Sequence, residues 1–214
     1  MTMSPPPPAP IPRGLRFASI LSLVLAAFTG WAALTEATRL AHFYETRELH
    51  LEQAPLVSLG DPAVDRRMVE SLYSALEPMR EPRSLVLGSL AVTCAFAFVA
   101  AARMLRPAGL PREGMRRLLG GATIIAALLR IIDGAQWLVV VNRANAATVE
   151  AMSMPLEKLQ SPAADLMRQL IPHIPPALAL AHTFFIAGAF VVIGRYFHSD
   201  RVRQAVIAHD GPAE

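Results

Sequence analysis

The segment Leu118–Val141, LLGGATIIAALLRIIDGAQWLVVV, is 24 residues long, and its strongly polar members are Arg130, Asp133 and Gln136. An α-helix rises 1.5 Å per residue, so this run is long enough to cross a hydrocarbon core of about 30 Å. It is too long and too uniformly apolar for a strand. In lipid, a helix also satisfies its own backbone hydrogen bonds.

Three further runs have the same character: FASILSLVLAAFTGWAAL from Phe17, LVLGSLAVTCAFAFVAAARML from Leu85, and ALALAHTFFIAGAFVVIG from Ala177. The reading is an all-α, polytopic membrane protein: a four-transmembrane-helix bundle with spans at about 17–38, 85–105, 118–141 and 177–196. These spans lie in a membrane domain covering 13–198, between a Pro-rich tail at 1–12 and a polar tail at 199–214. The first run follows Arg13 and Arg16, as a signal peptide would. It exceeds the usual 7–15 residue signal core, and Trp31 fits a cleavage motif poorly, so a retained span is expected.

Composition agrees. Only 17% of the chain is charged and mean hydropathy is +0.38, whereas a soluble domain carries about 25% charged residues. The net charge of +3 is explained by membrane topology without invoking nucleic acid. Every basic residue but Lys158 is arginine, and with the many Ala, Leu and Pro this suggests a GC-rich bacterial genome and an inner-membrane location. Cys94 is the only cysteine, which rules out an intramolecular disulfide or a cysteine-based metal centre within one chain.

Arginines cluster in the two tails and the 106–117 loop, where Arg13, Arg16, Arg103, Arg106, Arg112, Arg116, Arg117, Arg195, Arg201 and Arg203 face few carboxylates. The two long loops are net acidic. The positive-inside rule therefore puts both termini in the cytoplasm and the long loops outside.

Both long loops carry helix signals. Asp61-Pro62 is an N-cap followed by proline at the first helical position, and Val64, Met68, Leu72, Ala75, Leu76 and Met79 recur at helical spacing, predicting an amphipathic helix over 62–79. Ser161-Pro162 repeats the signal, and Ala163, Leu166, Met167, Leu170 and Ile171 predict a second over 162–171. The match of Pro62-Ala63-Val64-Asp65 with Pro162-Ala163-Ala164-Asp165 hints at a duplicated unit of span, outer helix and span.

The candidate site is an intramembrane polar cluster of Arg130, Asp133, Gln136 and His182. Residues 130, 133 and 136 project from nearly one face of the third span. An arginine near the bilayer centre costs about 2.5–3.5 kcal/mol on insertion scales, so it should face inward with a partner, and Asp133 is the local one. His182 enters from the fourth span, where a proton relay or a hydrogen bond to a neighbour such as Asp133 would suit it. His42, Glu45 and His50 follow the first span without enough companions for a metal site, and His173 lies between prolines.

The chain carries no nucleophile elbow, P-loop, dinucleotide fingerprint or zinc-protease motif, so no catalytic residue, metal or cofactor is assigned. The expected function is an accessory, assembly or sensing protein acting through its outer helical loops and the polar cluster. The alternative is a small oligomeric transporter or channel using Arg130, Asp133 and His182 as a polar pathway. The expected partners are the lipid bilayer and further copies of the chain or other membrane proteins, and not nucleic acid.

Overall fold

The computed structural model describes residues 12–53, 62–106, 112–157, 166 and 169–210. Among them the chain is helical throughout: α1 Arg13–Ala41, α2 Phe43–Gln53, α3 Pro62–Leu76, α4 Arg80–Leu105, α5 Arg112–Glu157, α6 Ile174–His198 and α7 Asp200–Asp210. Four helical segments are long and apolar enough to cross a membrane: Arg13–Ala41, Pro62–Leu105, Arg112–Asn145 and Ile171–His198. The molecule is an all-α membrane bundle. Most of the 162–171 segment, including the second Pro-Ala-x-Asp sequence, lies outside the described residues.

Large apolar side chains cover the outside. Phe17, Phe28, Trp31, Leu85, Phe184 and Phe185 are each more than two-thirds exposed. A water-soluble helix hides such residues, whereas a lipid-facing helix displays them. The interior holds smaller groups. Along α4 the buried positions Leu87, Leu90, Cys94, Ala97, Ala101 and Met104 follow steps of three and four, with Ala100 buried beside them and Arg83 at the helix start. That is the seam of left-handed helix packing, and small residues on it let backbones approach closely.

By its internal contacts the chain forms two compact units, one of Met1–Ala33, Ser89–Leu129 and Ile186–Glu214, the other of Leu34–Gly88 and Arg130–Phe185. In the first, α1 meets α4 so closely that a Cβ on Gly30 would lie 2.9 Å from Cys94 Cβ. Two of its buried hydroxyls are spent locally, Ser22 donating to Ala18 O at 2.6 Å and Thr123 to Leu119 O at 2.8 Å, whereas Ser19 Oγ has no hydrogen-bond partner. The Arg116 guanidinium donates to Phe197 O and to Glu113, satisfying a carbonyl in the last turn of α6.

In the second unit α2 packs on α3. Phe43 and Tyr73 meet edge to face with ring centroids 5.3 Å apart, His50 Nδ1 shares a hydrogen bond with the Tyr73 hydroxyl, and Tyr44 donates to Glu77 at 3.2 Å. The Arg80 guanidinium lies 5.6 Å from the centre of the Tyr44 ring.

Two local features reflect proline and alanine chemistry. Both α4 and α6 are entered through a 3₁₀ turn with proline second, Glu77-Pro78-Met79 and Ile171-Pro172-His173, preceded by Leu76 and Leu170 at nearly the same backbone angles. Proline is tolerated there because first-turn N–H groups lack intrahelical partners. Helix α5 does not stop at Val141 but continues to Glu157. From Asn142 to Ser153 the sequence is alanine-rich and free of Gly and Pro, so nothing breaks the helix when the apolar run ends.

The close approach at Gly30 is testable through Cys94, which is the only thiol and 1% exposed, so its labelling reports unfolding. Gly30→Ala should lower the detergent melting midpoint, at a cost of about 1–3 kcal/mol for the overpacked contact. Gly88→Ala meets nothing within 4 Å and should leave the midpoint unchanged or raised.

Candidate functional site

Within the second unit, four helices contribute to one ionic network. Asp133 on α5 is at its centre, and its side chain is 1% exposed. On the same helix, Arg130 Nη1 donates to Asp133 Oδ2, the one-turn spacing bringing the two groups together. From α4, Arg83 Nη2 approaches Asp133 Oδ1 at 3.3 Å and Glu36 Oε1 of α1 at 3.8 Å. The Arg83 side chain is only 7% exposed, and its guanidinium lies 4.5 Å from the centre of the Trp137 ring. A planar, weakly hydrated cation suits that combination of carboxylate and aromatic face.

The fourth helix enters through His182. Arg130 Nη2 and His182 Nδ1 are 2.9 Å apart. A guanidinium can only donate, so Nδ1 accepts, the ring is neutral, and its proton is on Nε2. Thr183, next to it, fits against Gly134, where a Cβ would overlap the threonine hydroxyl and methyl. Gly134 follows Asp133, so α6 comes close to α5 beside the buried carboxylate.

Arg83, Arg130, Asp133, Glu36 and a neutral histidine together carry no net charge, and the largely exposed Arg39 adds a cation at the edge, 4.0 Å from Glu36. That balance matters because an isolated ion in an apolar interior costs several kcal/mol, and removing one partner of a buried pair typically costs about 3–5 kcal/mol. The balance is not matched by complete hydrogen bonding. Arg83 Nε and Nη1, Arg130 Nε, Asp133 Oδ1 and Gln136 Oε1 are buried without hydrogen-bond partners. A buried polar atom left so costs about 1–3 kcal/mol.

Of the cluster expected from sequence, Arg130, Asp133 and His182 come together, with His182 bonded to Arg130 and not to Asp133. Gln136 does not join them through a hydrogen bond. Sequence reading missed Glu36 and Arg83. Glu36 falls in the last turn of the first span and Arg83 two residues before the second, where a charge reads as an ordinary span-end residue. Trp137, near the end of the third apolar run, is the platform for Arg83. Outside the network, His50 is engaged with Tyr73 and His173 lies in the 3₁₀ turn before α6.

Asp133→Asn should destabilise the protein by about 3–5 kcal/mol, because it leaves Arg130 without a carboxylate and Arg83 with Glu36 alone. Gln136→Leu removes an already unpaired acceptor and should be neutral or stabilising. Cys94 labelling melts of the two variants, which should shift far apart, check this.

Comparison of the chain with protein-family models, with curated proteins and with solved structures finds no match.

Proposed function

We propose that this chain is a non-enzymatic membrane subunit, of the accessory, assembly or sensing kind, that acts through helices outside the bilayer while its ionic network fixes how the spans are held. The observation that carries this reading is the extent of ordered helix beyond what crossing requires. At 46 residues α5 is about 69 Å long, more than twice a hydrocarbon core of about 30 Å. Helices α2 and α3 are locked to each other by the Phe43–Tyr73 ring contact and the His50–Tyr73 hydrogen bond. A minimal bundle needs none of this surface.

Two further observations favour it over a transporter. The network is charge-balanced, so it is suited to holding helices together. Among the described residues of the first unit, the buried polar and charged side chains are Ser19, Ser22, Thr123, Arg112 and Arg116, and both arginines belong to the start of α5. That set lacks the chain of titratable groups by which proton and ion pathways are built.

In this reading the chain lies in a bacterial inner membrane, with both termini and the 106–117 loop cytoplasmic and α2, α3 and the end of α5 outside, as the arginine distribution directs. Its contacts are with lipid and with other copies or other membrane proteins.

Two experiments test the reading. In a Cys94→Ala background, Ser74→Cys on the exposed side of α3 should label in intact cells and cross-link to one partner of reproducible mass. Gly114→Cys should label only after the membrane is opened, and the reverse pattern would invert the orientation. Purified chain in sealed liposomes should pass protons and small ions no faster than empty liposomes. A flux abolished by Arg130→Leu with Asp133→Leu would replace this function with transport.

A further inference from the structure

We infer that Arg83 and Arg130 bind a phosphate group beside His182, carried by a lipid headgroup or free in solution. The inference goes beyond the proposed function and stands on different observations. Arg83 is more than nine-tenths buried, yet its Nε and Nη1 have no hydrogen-bond partner, and neither has Arg130 Nε. The protein's own acceptors are engaged through other nitrogens: Asp133 and Glu36 face Arg83 Nη2, Asp133 takes Arg130 Nη1, and His182 takes Arg130 Nη2. What remains is a set of buried cationic donors, Arg83 Nε and Nη1 and Arg130 Nε, that no acceptor of the chain takes.

The ligand chemistry follows from the unpaired atoms. Several N–H donors on two guanidinium groups suit a multi-oxygen anion, and phosphate presents more acceptor oxygens than a carboxylate does. The unpaired acceptors Asp133 Oδ1 and Gln136 Oε1 lie one turn apart on α5. They call for a ligand that also donates, such as a phosphate hydroxyl or the glycerol hydroxyls of phosphatidylglycerol.

Access agrees. The site is flanked by Trp137, and tryptophan is at home where headgroup phosphates lie. His182 is exposed on α6 and Arg130 is 17% exposed, so a headgroup can reach them from the side.

The test uses the full chain purified in mild detergent and in nanodiscs of phosphatidylcholine with or without phosphatidylglycerol. Phosphorus is counted per chain and unfolding is followed by Cys94 labelling. The probes are inorganic phosphate in detergent and phosphatidylglycerol in nanodiscs. Arg83→Lys and Arg130→Lys keep the charges but remove the planar fork, so they preserve the balance on which folding depends. The expected result is a saturable rise in melting midpoint with either probe, at least tenfold weaker in both lysine variants. About one phosphorus retained per purified wild-type chain identifies the headgroup as the source, and a response confined to inorganic phosphate identifies the free anion. The inference is overturned if neither probe shifts the midpoint, or if the lysine variants respond as the wild type does.

Discussion

A carboxylate almost wholly removed from solvent, Asp133, is held between two arginines on two helices. At an effective dielectric constant of about 20, a pair of unit charges 4 Å apart gains about 4 kcal/mol, comparable to the several kcal/mol lost on removing each ion from water. Such a centre is tolerable only when each buried charge meets an opposite one and helices arrive in fixed register. Arg83 brings α4 into that register and carries Glu36 of α1 with it, while Arg130 reaches His182 of α6. One condition at one carboxylate thus constrains four helices.

Packing within each unit has to be close because lipid offers no hydrophobic drive for helix association. Gly134 against Thr183 and Gly30 against Cys94 are contacts without room for another methyl group. The 3–4 spacing of small buried residues on α4 serves the same end. Polar network and small-residue seams are complementary, one specifying register and the other supplying contact area.

Much of the fold was legible because span length and apolarity are direct physical requirements of a bilayer: the runs beginning at Phe17, Leu85, Leu118 and Ala177 all lie in long apolar helices. The Arg130–Asp133 pair was legible too, since both residues interrupt an apolar run at one-turn spacing. Glu36 and Arg83 were not, because each adjoins the end of a run and a charge at a span boundary is ordinary. Only the register of the helices reveals that those ends meet the interior of α5. That an arginine with a local partner would recruit a second arginine was also hidden, since the local pair already cancels. The continuation of α5 to Glu157 escaped for another reason: the apolar signal stops at Val141 but helix propensity does not.

The coupling between Arg83 and Asp133 tests the account most directly. A double-mutant cycle of Arg83→Met and Asp133→Leu, read by the melting of the full chain, isolates it from the separate effects of each substitution. The account predicts single variants that are each strongly destabilised, and a double variant better than their sum by about 2–3 kcal/mol, because the pair's loss restores charge balance. Additive effects, within about 0.5 kcal/mol, would show that the two groups do not depend on each other and would contradict the central role given to Asp133.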